Sequence, residues 1–146
     1  MARVMRQVDV ILQNHTAELL TLESAMAVQG QWDPLTVPKI GSVIVKQGAA
    51  KWTSQSTAEG VPTQGVIRLG STKGYIAINW LLPRQADNYA YSIVTPPGID
   101  YVPPPEDLGQ NLDFRVLLIT LVPTPIQAEP RRPSPDAGRP RRKTSA

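Results

Sequence analysis

The chain is 146 residues long, the size of one ordinary domain, and has no cysteine, which excludes disulfides and thiolate metal sites. Its residues are 41% apolar and only 18% charged, with 15 prolines and 10 glycines, a profile that favours short strands between turns over long helices. The formal charge of +3 belongs to one end: six of the 15 basic residues (Arg131, Arg132, Arg139, Arg141, Arg142, Lys143) lie beyond Val122, and residues 1–122 hold nine basic against ten acidic side chains. Nucleic acid is therefore only a minor alternative as a partner.

Residues 6–13 alternate Val8, Val10 and Leu12 with Asp9, Ile11 and Gln13 and predict a first strand that closes at the polar turn Asn14-His15-Thr16. In residues 19–29 the apolar Leu20, Leu22, Met26 and Val28 fall on even positions, which predicts a second strand; a helix is the rival, because Ala, Leu, Glu and Met are good helix formers. Gly30, Pro34 and then residues 38–41 break the chain. Residues 42–46 and 50–56 read as strands, and Ala58-Glu59-Gly60-Val61-Pro62 as a turn. Residues 65–69 and 75–82 read as a hairpin closed by the five-residue connection Gly70-Ser71-Thr72-Lys73-Gly74. Another strand is predicted over 89–94. Between Pro96-Pro97-Gly98 and Pro103-Pro104-Pro105 no regular element is expected, and the last strand is predicted over 114–121.

These segments define an all-β fold, a two-sheet antiparallel β-sandwich of about eight strands over residues 1–122. Residues 123–146 contain six prolines and six basic residues, with Ile126 the one large apolar side chain, and are expected to form a disordered tail. The longest apolar stretch, residues 116–122, falls far short of the roughly 20 residues of a membrane-spanning helix. The first nine residues lack the uninterrupted apolar run of a signal peptide. A soluble protein is expected, cytoplasmic or released by a non-classical route.

Covalent chemistry finds little support. His15 is the one histidine and sits in a turn, where a solvated imidazole is expected, and there is no Gly-x-Ser-x-Gly elbow. Asp100, Glu106 and Asp107 share a proline-rich loop and supply calcium-type oxygen ligands, but a solvated acidic loop is the plainer reading. Gly65 and Gly70 have phosphate-loop spacing, yet Ser71-Thr72 follows without the lysine. The chain is read as a non-enzyme without cofactor or metal. Asn14-His15-Thr16 matches an N-glycosylation acceptor and is read as a chance match.

Aromatic placement is more distinctive. Trp32 follows Gly30-Gln31, Trp52 follows Gly48, Trp80 precedes Pro83 and Tyr89 follows Asn88, and aromatic rings with a polar tip suit boundaries between water and an apolar phase. For Trp52 and Trp80 the plainer reading is core on inward strand faces. Trp32, in a Gly/Pro-rich loop, is the better candidate for exposure.

The order of landmarks resembles the actinoporin-like and aegerolysin-like cytolysin superfamily of small β-sandwiches. The pieces are Val10-Ile11-Leu12-Gln13-Asn14-His15-Thr16, Gly30-Gln31-Trp32 with Pro34, Pro38-Lys39-Ile40 leading through Gly48 to Trp52, and Ser54-Gln55-Ser56 with Thr63-Gln64-Gly65. Tyr75-Ile76-Ala77-Ile78-Asn79-Trp80-Leu81-Leu82-Pro83 and Asn88-Tyr89-Ala90-Tyr91 complete the pattern, which spans residues 6–121. The resemblance implies binding of phosphocholine-type or ceramide-phosphoethanolamine-type headgroups by loop aromatics, with Trp32, Trp52, Trp80, Tyr89 and Tyr91 as the matching lipid-binding candidates. It further implies a membrane-associating component of a cytolytic toxin or defence system, with lipid headgroups and a larger pore-forming protein as partners and a homo-oligomer open. Self-sufficient actinoporins carry an amphipathic helix before the first strand, where this sequence has about five residues, so a lipid-binding or partner-recruiting module is expected. The alternative is a protein- or glycan-binding module regulated through its basic tail, in which Ser134, Thr144 and Ser145 follow basic residues as phosphorylation acceptors would. The same clusters are compatible with anionic lipid, at about 1 kcal/mol per basic residue, with nuclear import or RNA contact, or with a solvated tail.

Overall fold

Alternation with a period of two decides the first strand, β1 (Gln7–Asn14): Val8, Val10 and Leu12 point into the core and are 0% exposed, while Gln7, Asp9 and Ile11 face outward. In the computed structural model, which describes residues 6–104 and 113–125, nine further strands follow. They are β2 (Leu20–Gln29), β3 (Gln31–Trp32), β4 (Val43–Ile44), β5 (Ala49–Gln55), β6 (Thr63–Ser71), β7 (Gly74–Leu82), β8 (Ala90–Val94), β9 (Ile99–Val102) and β10 (Phe114–Pro123). Short 3₁₀ turns occupy Pro34–Thr36 and Ala86–Asn88, and there is no α-helix among the described residues. The strands form two five-stranded sheets, in the orders β3-β5-β1-β10-β9 and β4-β2-β6-β7-β8. Their inner faces enclose one core built from Val8, Val10, Leu12, Leu22, Ile67, Leu69, Ile78, Leu117, Ile119 and their neighbours.

The all-β sandwich agrees with the sequence patterns, and several details differ for physical reasons. The central pair β1 and β10 is parallel, in register from Gln7 against Phe114 to Asn14 against Leu121, inside an otherwise antiparallel sandwich. Residues 20–29 are a strand rather than a helix, but β-bulges between Leu22 and Ser24 and between Ala27 and Gln29 shift its phase. Leu20 and Leu22 are thus buried, whereas Met26 and Val28, on the same even positions, are 62% and 45% exposed.

The β6–β7 connection is tighter than the expected five residues. Gly70 pairs with Tyr75 and Ser71 with Gly74, leaving Thr72 and Lys73 as a two-residue turn in which Ser71 Oγ donates to Gly74 O (2.8 Å) and accepts from Lys73 N–H (3.1 Å). A strand also forms where none is expected. The prolines frame β9 instead of interrupting it, and Gly98 at φ +96° with Pro97 before it turns the chain so that Ile99 N–H reaches Pro96 O. Ile99 then buries its side chain and β9 pairs with β10. Strand β10 runs through Pro123; the tail from residue 126, together with Glu106 and Asp107 of the acidic loop, lies outside the described residues.

A tryptophan spans the interior between the two sheets. Trp80 of β7 is 1% exposed and its indole N–H donates to Ser54 Oγ of β5 at 2.8 Å. Gly65 lies opposite it in the β6–β7 ladder, and a Cβ there would overlap the indole. Gly65→Ala is therefore expected to destabilise the fold by about 1–3 kcal/mol through overpacking. A lowered urea midpoint with an unchanged slope is the predicted readout, and a wild-type midpoint would contradict the packing described.

Candidate functional site

Four of the five predicted aromatic residues are brought into one row. Trp32 of β3 stacks edge-to-face on Trp80, with ring centroids 5.9 Å apart and planes at 61°. Trp80 is the ladder partner of Tyr91 across β7 and β8, and the Tyr91 and Tyr89 rings lie 6.0 Å apart. Trp52 is elsewhere, inward on β5 opposite Val10. The row differs along its length. Trp80 and Trp52 belong to the core, Trp32 and Tyr89 are half-buried against it, and Tyr91 is exposed.

Beside the row, on the outer face of the second sheet, a shallow groove of about 240 Å³ is bounded by Gln64, Asn79, Leu81, Ala90 and Ser92 together with Trp80 and Tyr91. It holds no charged residue, so it lacks the carboxylate pair that hydrolysis of a glycoside would need. Among the described residues no group of three or more His, Asp or Glu side chains converges as a metal site would require. His15 is exposed in its turn. Asn14 of the glycosylation-like triplet is 0% exposed with its amide hydrogen-bonded, so in the folded chain it is inaccessible to a glycan.

Tyr89 has an unusual setting. Its hydroxyl is buried without a hydrogen-bond partner among the described residues, and the Arg115 guanidinium lies 5.0 Å from its ring centroid. The phenol is pushed up to about 12, chiefly by burial and further by Tyr91, with Arg115 acting in the opposite direction.

A second surface is built by residues 33–48, none of them singled out by the aromatic pattern. This strap closes one side of the sandwich. At its start Asp33 N–H donates to Thr53 O, and Thr36 Oγ1 accepts from Thr53 N–H, so it lies along the edge of β5. Farther on, Leu22 N–H donates to Ser42 O, Gly41 N–H donates to Leu22 O, and β4 pairs with β2, so it also caps the edge of the second sheet. Its end is pinned where Gln47 N–H donates to Asn14 O and Asn14 N–H to Gly48 O.

The strap turns most of its aliphatic side chains to solvent. Leu35 is 91% exposed and Ile40 63%, Val37, Val43 and Val45 are exposed as well, and Ile44 alone is buried. Lys39 and Lys46 flank these side chains, and no acidic residue occurs between Asp33 and Glu59. Asp33 itself is engaged, its carboxylate accepting from Leu35 N–H at 3.1 Å. The strap therefore exposes five aliphatic side chains and two lysines, with Asp33 at its start as its one acidic residue. The available signal was Leu35, Val37 and Ile40 standing among Pro34, Pro38 and Gly41, where no strand exists to bury them.

No protein-family profile matches the chain, and no curated protein sequence matches it. Among solved structures, the crystal structure of the lipid-binding protein Nakanori is similar, with a TM-score of 0.58 over 82% of this chain and 71% of that one. At 12% identity the likeness is one of fold.

The setting of Tyr89 makes stability depend on alkaline pH. An unfolded phenol ionises near its ordinary value of 10.0 and the folded one near 12, so the stability it supplies is complete below about pH 10 and is lost as pH rises toward 12. Tyr89→Phe also removes an unpartnered buried hydroxyl, and is expected to be at least as stable as wild type at neutral pH. Melting temperatures measured from about pH 8 to about pH 12 should fall more steeply for wild type than for Y89F; parallel curves would contradict the burial of this phenol.

Proposed function

We propose that this chain is a non-enzymatic lipid-binding β-sandwich that attaches to membrane surfaces through the strap of residues 33–48. The observation that carries the reading is the exposure of Leu35, Val37, Ile40, Val43 and Val45 beside Lys39 and Lys46 on a segment tied down by backbone hydrogen bonds. Because the strap is already ordered, seating its aliphatic side chains among lipid chains costs little further conformational entropy. The lysines supply attraction to phosphate-bearing headgroups at about 1 kcal/mol each near an anionic surface.

The fold shared with a lipid-binding protein supports the same reading. Of the aromatic candidates, Tyr91 offers a headgroup an open ring and Trp32 and Tyr89 offer part of theirs, while Trp80 backs Trp32 from the core and Trp52 lies apart from them. The family resemblance extends this to a cytolytic or defence system in which the sandwich recognises lipid and a larger pore-forming partner perforates the membrane. The strap and the aromatic row bear on the first of those steps.

Co-sedimentation with liposomes tests the reading, using phosphatidylcholine, phosphatidylserine, sphingomyelin and ceramide phosphoethanolamine compositions. Leu35→Ser and Ile40→Ser should each weaken binding roughly tenfold, since burying such a side chain is worth about 1.5 kcal/mol or more, with melting temperature unchanged because both are exposed. Trp32→Ala is a poorer probe, as it also uncovers Trp80. Binding through the strap should persist in the chain ending at residue 125 and resist salt more than binding through the basic tail. Failure to sediment with every composition would overturn the proposal, and unaltered binding by the double serine variant would remove the strap from it.

A further inference from the structure

The sandwich has four sheet edges, and three are protected against pairing with another chain. On the first sheet, β3 is two residues long and the strap continues along the edge of β5 at Asp33 and Thr36. At the other end β9 is four residues long, carries Asp100 and is framed by Pro96-Pro97 and Pro103-Pro104. On the second sheet, β4 is two residues long and the backbone of Gly41 and Ser42 engages Leu22 beside it. Short length, charge, proline and a covering loop are the usual defences of a strand edge.

The fourth edge, β8, is five residues long and followed by Pro96-Pro97, but it carries no charge and, among the described residues, no segment covers it. Ala90-Tyr91-Ser92-Ile93-Val94 contains no charge, proline or glycine, and all but Ile93 are exposed. It pairs with β7 on one side, and among the described residues no other element's backbone is hydrogen-bonded to it. A strand pleated this way leaves every second residue with outward N–H and C=O groups.

We propose that β8 is a self-pairing edge, at which two copies of this chain join antiparallel about a twofold axis through Ser92 into one continuous sheet. The composition and the ends of the strand select a second copy as the occupant. Centred on Ser92, the register sets Ala90 against Val94 and Tyr91 against Ile93, so all five residues are matched. The 3₁₀ turn Ala86–Asn88 on one side and Pro96-Pro97 on the other keep the ladder from growing to accommodate a longer extended partner. A twofold axis at this register would bring any charge at position 92 against its own copy, and no position of β8 is charged. Tyr91 against Ile93 is an aromatic and β-branched pair of the kind that stabilises neighbouring antiparallel strands.

The surroundings agree with the edge. Gln64, Asn79 and Leu81 of the adjoining groove are uncharged, and on the outer face of this sheet Arg68 is paired with Glu23 at 3.0 Å and covers the Tyr75 ring. With nine basic and ten acidic residues through position 122, the body sets up little repulsion between copies. The β4 part of the strap lies at the opposite edge of the same sheet from β8.

Sedimentation equilibrium of the full chain from micromolar to millimolar concentration is expected to show the mass rising from 16.0 kDa toward twice that value. Ser92→Lys places two like charges at the axis and should weaken association by more than about tenfold, with an unchanged melting temperature; an equimolar mixture of S92K and S92E should recover it. Because the chain has no cysteine, Ser92→Cys gives an independent readout: opposed positions in an antiparallel ladder lie within disulfide range, so mild oxidation should trap a reducible dimer much faster than for Thr72→Cys at the hairpin tip. A mass constant with concentration, association untouched by S92K, or equal trapping at positions 72 and 92 would each overturn the proposal.

Discussion

The buried amide of Asn14 decides where the peripheral parts of the molecule can lie. It stands at the end of β1, fully enclosed, and its Nδ2 donates to the carbonyls of Glu18 (2.8 Å), Ile44 (3.2 Å) and Val45 (3.1 Å) while Oδ1 accepts from the backbone N–H and the hydroxyl of Thr16. One side chain thus joins the end of the central strand, the entry to β2 and the returning strap. An aliphatic residue in its place would remove all three of these donor contacts and leave the Thr16 hydroxyl and N–H without their acceptor, a buried loss of about 1–3 kcal/mol. With β4 pinned here, Ile44 is directed inward and Val43 and Val45 outward, so the apolar exposure of the strap follows from satisfying polar groups beneath it. The turn that completes the return holds Gln47 at φ +65°, a conformation uncommon outside glycine, which indicates how firmly the segment is held.

Aromatic residues are divided between holding the sheets together and meeting solvent. The Trp80 indole spans the interior to Ser54, Gly65 makes room for it, and Trp32 covers its flank. An aromatic ring at a turn in the sequence is therefore ambiguous: the neighbouring glycine can signal an exposed loop, or a backbone thinned so that the ring can pack. Trp80 and Gly65, opposed across a ladder and fifteen positions apart in the chain, are of the second kind. Tyr91 differs from Trp80, its ladder partner on the same face, because among the described residues β8 is an edge with no further strand to shelter the ring.

Much of this was legible where local pattern and burial coincide. Val8, Val10 and Leu12 alternate as a core strand should, β6 and β7 form adjacent hairpin partners, and residues 114–121 are too apolar to be exposed on both faces. The pattern failed where a nonlocal fact intervened. The bulges in β2, which turn Met26 and Val28 outward, depend on the register against β6; the pairing of β1 with β10 joins residues more than a hundred positions apart; β3 is too short to have a periodicity. Proline was informative about β9 in the opposite sense to the obvious one, since at the ends of an edge strand it delimits the ladder. Of the candidate surfaces, the aromatic row was legible and the strap was not: Leu35, Val37 and Ile40 stand among the breaks Pro34, Pro38 and Gly41, and whether a segment outside the strands buries its aliphatic side chains is decided by nonlocal packing.

Both surfaces arise from the same problem at the rim of a two-sheet sandwich. Every open sheet ends in strands whose outward backbone groups need partners, and water, another part of the chain or another chain can supply them. On one side the chain supplies them itself with the strap. Running from β5 to β2 and back to Asn14, that segment spends its backbone groups on the two edges and has little interior left to receive its side chains, which leaves Leu35 and Ile40 in solvent. On the other side, β9 is short and framed by proline, and among the described residues β8 is left with its backbone edge open beside an uncharged groove. A covered edge therefore presents aliphatic side chains, and an uncovered one presents main-chain donors and acceptors. The two sides suit different occupants for that reason: an apolar phase has no hydrogen bonds to offer the edge of β8, and an extended strand has no need of the aliphatic side chains on the strap.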